Sequence, residues 1–134
     1  MILKSPKIKI MGPSEVAKVL HSILKAEDPV DQDKEHFWSI GINSANVVEY
    51  IELVSLGTLN ESLVHPRETF RLAILKGVSA IIVGHNHPSG NIAPSQGDIR
   101  ITERLKKAGE IIGIQVLDHV IINNQGEFHS IEVE

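Results

Sequence analysis

The 134-residue chain contains no cysteine. That absence removes disulfides, thiolate zinc sites, thiol nucleophiles and the His/Cys/Cys centre of the zinc deaminases, and it agrees with a reducing compartment. Aromatic residues make up only 4%. The core must therefore rest on Ile, Val and Leu, which favours a sheet of buried, β-branched strands. A basic excess is also missing. The formal net charge is −4, whereas proteins built to grip phosphates carry a Lys- and Arg-rich face, so direct nucleic-acid binding is not expected. No apolar run reaches the length of a membrane span, and Met1-Ile2-Leu3-Lys4-Ser5-Pro6 lacks the hydrophobic stretch of a secretory signal. The expected location is the cytoplasm, without membrane contact.

What is present is ordinary globular material, 42% hydrophobic and 22% charged, at a length that suits one domain. Residues 1–12 read as an amino-terminal extension ahead of it. Met11-Gly12-Pro13-Ser14 is a helix start, followed by Val16, Val19, Leu20, Ile23 and Leu24 at helical spacing. Glu27 to Lys34 is a polar linker whose charge is read as solvation. Phe37 to Ile42 and Val47 to Leu56 are predicted strands joined by a turn at Asn43-Ser44-Ala45-Asn46. Pro66 opens a second helix with Phe70, Leu72, Ala73, Ile74 and Leu75 as apolar positions, and Gly77 closes it. Ser79 to Gly84 is a short unbroken apolar run, the signature of a strand buried on both faces. A third helix is predicted from about Ser95 through Ile101, Leu105 and Ala108. A hairpin follows, with Gln115 to Ile122 and Glu127 to Val133 as its arms. The order α-β-β-α-β-α-β-β places the chain in the α/β class, a mixed sheet flanked by helices.

The stretch from His85 to Asp98 carries chemistry. In an extended segment residues two apart share a side, so His85 and His87 face one way and Asn86 the other. Pro88 reinforces this by pushing the residue before it toward extended dihedrals. Asp98 lies eleven positions after His87, in the first turn of the third predicted helix, behind a loop rich in turn formers. Two imidazoles and one carboxylate suit Zn²⁺ and leave a fourth position for water, the mark of a catalytic rather than a structural site. Ser95 and Asp98 also fit a helix capping pattern. Both roles can coexist, because a carboxylate has two oxygens.

The string His85-Asn86-His87-Pro88, with Ser95 and Asp98 at their spacing, resembles the metal motif of the JAB/MPN (JAMM) family. With Ser89-Gly90 and Pro94 included it looks like the RadC family more narrowly, and Gly57-Thr58, Pro66-Arg67-Glu68 and Asp118-His119 fall in order around it. The resemblance covers nearly the whole chain from about residue 13 onward. It implies a JAB/MPN fold holding one zinc ion on His85, His87 and Asp98. It further implies an acid/base glutamate upstream of the histidines, and the matching position is Glu35, with Glu49 and Glu52 as rivals. Ser95 matches the family serine whose hydroxyl supports an oxyanion. His119 is read as supporting a ligand or as structural, since a fourth protein ligand would close the site to water. His21, His36, His65 and His129 have no neighbour at ligand spacing and are read as ordinary.

The leading expectation is a zinc hydrolase acting on a peptide or isopeptide bond of a protein substrate. The alternative is a non-catalytic binding module tied to DNA repair or processing, which the family name and a helix-hairpin-helix region in longer members suggest. Loss of the metal from a retained fold ranks last, because all three ligand types are in place. Self-association of identical copies stays open.

Overall fold

Strand β4 (Ala80–Asn86) is buried along its whole length, as the apolar run predicts, and the rest of the sheet is arranged around it. A computed structural model describes residues 2–3, 8–57, 59 and 64–132 of the chain. Thr58 of the Gly57-Thr58 pair and Val133 at the end of the predicted hairpin lie outside the described residues. The other strands are β1 (Ile2–Leu3), β2 (His36–Ile42), β3 (Val48–Leu56), β5 (Gln115–Ile122) and β6 (Phe128–Glu132). The sheet order is β1-β3-β2-β4-β5-β6. β4 and β5 run parallel, while β2 pairs antiparallel with both β3 and β4, and β5 with β6. The sheet is thus mixed, as expected. Its first partners come from the amino-terminal segment: Ile2–Leu3 pair with β3, Lys9 bridges to Val47, and Ile10 is buried in the core.

Among the described residues, one long helix covers one face of the sheet and two cover the other. Helix α1 (Pro13–Lys25) buries Val16, Ala17, Leu20 and Leu24 in a cluster with Trp38, Ile40, Ile82 and Val120. It seats so closely that a methyl group at Gly84 would run into Leu20. On the opposite face, α3 (Pro66–Lys76) and α4 (Gln96–Ile112) pack Phe70, Ala73, Ile101 and Leu105 against Phe37, Ile81 and Val83. Gly77 ends α3 at φ 68° and Gly113 ends α4 at φ 87°, the left-handed geometry that favours glycine at a helix end.

Two expectations need correction. The helical pattern marks Ile74 and Leu75 as apolar positions, but they are 57% and 77% exposed. The buried stripe of α3 runs through Thr69, Phe70, Leu72 and Ala73, which turns Ile74 and Leu75 outward. The polar stretch from Glu27 to Lys34 is also more than solvated linker. It contains a short helix, α2 (Pro29–Gln32), and the Gln32 amide donates to the Glu27 carbonyl at 2.8 Å. Glu27 Oε1 lies 2.9 Å from Nε2 of the fully buried His36, so part of this charge is spent on a buried ring.

Candidate metal centre

Three elements converge at the carboxyl end of β4. His85 is in the strand, His87 just beyond it, and Asp98 in the first turn of α4. Alternation along the extended segment brings His85 Nε2 to 2.8 Å from His87 Nε2. Asp98 Oδ1 stands 3.2 Å from His85 Nε2, and Oδ2 stands 3.1 Å from His87 Nε2. Among the described residues this is the group of His, Asp and Glu side chains that could hold a metal ion.

The donor chemistry fits a cation. His87 Nδ1 lies 2.7 Å from the Asn91 carbonyl, which can only accept, so the ring carries a proton there. In the neutral ring Nε2 then offers a lone pair, the arrangement in which a metal-binding histidine is held by its other nitrogen. Asp98 is fixed by the capping box at the start of α4. The Ser95 amide donates to Oδ2 at 2.9 Å, and Ser95 Oγ accepts from the Asp98 amide at 3.0 Å.

Electrostatics follow from the same contacts. Burial alone would raise the Asp98 pKa, but hydrogen bonds from His85 and His87, the charge of His85 and the Ser95 amide outweigh it and hold the carboxyl well below its usual range. The hydrogen bond to Asp98 raises His87, burial opposes it, and the Asn91 carbonyl and the charges of Asp98 and Glu35 add to the rise. Burial drives His119 well below the ordinary histidine value, and the neighbouring His85 pushes it further down.

A family model of the RadC-like JAB domain matches residues 10–134. The chain belongs to that family. It is 50% identical over 119 residues to a UPF0758 protein of Staphylococcus haemolyticus, a match that covers 89% of this chain and 50% of the relative. A UPF0758 protein of Desulforudis audaxviator is 54% identical over 102 residues, 76% of this chain and 44% of the relative. One from Staphylococcus epidermidis is 47% identical over 118 residues, 88% and 50%. The chain thus spans about half the length of the curated relatives it matches. No helix among the described residues is long and apolar enough to cross a membrane.

Around the three converging side chains, the JAB domain places the remaining sequence-predicted residues at different distances. Glu35 is half-buried at the entrance of β2, where its Oε2 accepts from the Leu59 amide at 3.0 Å, and its charge reaches His87. Glu49 is exposed and accepts from the Asn43 side chain at 3.1 Å. Glu52 pairs in register with Ser39, toward the middle of the sheet, and its buried Oε1 has no hydrogen-bond partner among the described residues. Burial raises its pKa. Ser95 is the cap of α4, and its side chain is exposed. His119 is fully buried, with Nε2 at 2.7 Å from His85 Nδ1. It therefore touches a candidate ligand from behind and is not a fourth member of the group.

Of the histidines read as ordinary, His65 caps α3 by accepting from the Arg67 amide, and His21 Nε2 lies 3.0 Å from the Asn124 carbonyl. His36 does more. Its amide donates to Asn86 Oδ1 at 2.6 Å, and the Asn86 Nδ2 donates to the Lys34 carbonyl at 3.0 Å. The side chain between the two histidines thus clips the backbone on both sides of Glu35. Sequence reading placed Asn86 on the other face but gave it no task. It also missed Thr102, whose hydroxyl joins Asp98 to His119. One signal was available: a threonine four positions after Asp98 lies one helical turn along the same face.

Proposed function

We propose that this RadC-like JAB domain is a zinc-dependent hydrolase that cleaves a peptide or isopeptide amide bond. The observation that carries the reading is the convergence of two imidazole Nε2 atoms and a carboxylate within 2.8 to 3.2 Å of one another. His85, His87 and Asp98 would hold the zinc and leave one position for water, as a catalytic site requires. When bound, zinc lowers the pKa of water toward neutrality and polarises a carbonyl. Glu35 takes the proton from the attacking water on its carboxylate and passes it to the leaving amine. The Ser95 oxygen accepts the cap bond from Asp98 and keeps its own proton to donate to the developing oxyanion. The substrate is a protein or peptide and the setting cytoplasmic.

The test is zinc content and turnover on the same protein. Wild-type chain is expected to hold one zinc and to cleave some members of a broad peptide and isopeptide panel, with His87→Ala inactive. Equal, residual cleavage by both would sink the reading. Stoichiometric zinc with no cleavage would favour a non-catalytic binding module.

A further inference from the structure

We infer that His119 and Thr102 are positioning residues that fix the tautomer of His85 through a one-way chain of hydrogen bonds ending on the main-chain carbonyl of Asp98. The inference rests on the reading of His85 as a metal ligand and adds how its ligating nitrogen is kept free of a proton.

The direction of the chain follows from its end. A carbonyl oxygen only accepts, and the Thr102 hydroxyl lies 2.8 Å from that of Asp98, so the hydroxyl gives its single proton there. The Thr102 oxygen is then an acceptor toward His119 Nδ1, 2.6 Å away. A neutral imidazole has one N–H, so with its proton on Nδ1 the ring presents a bare Nε2. That nitrogen faces His85 Nδ1 at 2.7 Å, and His85 must donate from Nδ1. In the neutral ring, the form that can ligate a metal, His85 Nε2 is left unprotonated, pointing at His87 and Asp98. The opposite polarity would hold the Thr102 oxygen and the Asp98 carbonyl 2.8 Å apart with no proton between them.

Burial removes the alternatives. His85 and His119 are 0% exposed and Thr102 is 5% exposed, so water does not offer these atoms substitute partners. Phe37 closes the side, its ring edge-on to His119 with centroids 5.8 Å apart. The chain also closes on itself: Asp98 supplies the carboxylate at one end and the terminal acceptor at the other. One turn of α4 therefore sets a ligand and the protonation pattern of a second ligand on the neighbouring strand.

The test uses the full chain with ¹⁵N-labelled histidine, metal-free, at pH 8, and reads ring tautomers from long-range ¹H–¹⁵N spectra. Zinc affinity is read in parallel by competition with a chelator. Wild type is expected to show His85 and His119 both protonated at Nδ1. Thr102→Val removes the hydroxyl at constant shape; His85 should lose its single tautomer, and zinc affinity should fall about 10- to 100-fold, the usual effect of breaking a partner behind a ligand. Thr102→Ser restores the hydroxyl and should restore both readouts. His85 protonated at Nε2 in the wild type overturns the inference, as does an unchanged spectrum in Thr102→Val. If Thr102→Val fails to fold, the wild-type spectrum alone decides. Wild type with both rings protonated at Nδ1 but no zinc uptake supports the chain of hydrogen bonds and overturns the zinc reading instead.

Discussion

Asp98 meets two demands with two oxygens. Oδ2 accepts the Ser95 amide, and Oδ1 faces His85 free of the cap. Asp98→Asn keeps an acceptor for the cap and removes the charge. Stability of the metal-free chain at pH 7 should drop by more than the ~0.3–1 kcal/mol usual for a negative charge at a helix start, because a carboxyl held well below its usual range adds stability that the amide cannot supply. Bound zinc should fall to background; thermal melting and elemental analysis check the two halves. Glu52 presents the opposite case, a carboxyl whose folded pKa is raised by burial. The folded chain holds this proton to higher pH than the unfolded chain does. Stability therefore falls as pH rises from the unfolded value, about 4.3, to the folded one, and the whole penalty stands above both. Glu52→Gln should melt higher than wild type at pH 8 and at the same temperature near pH 3. An equal gain at both pH values would show that burial of the charge is not its cause. Much of the candidate site was legible at this scale because strand alternation is a local rule: His85 and His87 share a side by spacing alone. Thr102 and His119 were not legible as a pair, since seventeen residues separate them and only the packing of α4 on β5 brings them to 2.6 Å.

Helix α4 ties stability to chemistry at its cap. Ser95→Ala removes the cap and should destabilise the fold by roughly 0.5–2 kcal/mol whether or not the hydroxyl takes part in turnover. Ser95→Asn keeps a capping side chain, so its melting temperature should stay near wild type while turnover falls by roughly 10²–10³ from loss of the oxyanion donor. Parallel losses of stability and rate in both variants would remove Ser95 from the mechanism. At the other end, Gly109→Ala would gain about 1 kcal/mol of helix propensity. Its new methyl would run into the Ile114 carbonyl oxygen and the Phe70 ring, and overpacking of about 1–3 kcal/mol outweighs that gain. The variant should melt below wild type. Element ends were readable from Pro13, Pro66 and Gly77, because proline and glycine act through backbone geometry alone. The outward turn of Ile74 and Leu75 was not, since helical spacing marks candidate apolar positions without saying which stripe meets the sheet. The bond from Glu27 to His36 was hidden because it is a tertiary contact, from the segment after α1 to the start of β2.

Across the whole molecule, α1 packs on one face of the sheet, α3 and α4 on the other, and the metal-type group sits where β4 ends and α4 begins. A ligand that binds only the folded chain stabilises it by mass action. Zinc at a hundredfold excess over its dissociation constant should add about 2.7 kcal/mol, visible as a higher melting temperature, reversed by a chelator and absent in His87→Ala. The mixed α/β sheet was legible from hydrophobic runs and their order, and the parallel pair β4–β5 follows from the helix between them. The short pairing of Ile2–Leu3 with β3 carried no such signal. His85, Asn86 and His87 point alternately to opposite sides of the sheet, two rings toward the carboxylate and one amide toward the backbone around Glu35. This makes the tripeptide sensitive to parity. A single inserted residue would leave composition, charge and hydropathy almost untouched, yet it would turn one imidazole to the wrong side and carry the amide out of reach of its strand. Evolution or engineering can exchange much of the surrounding surface, but it can alter the count here only in steps of two.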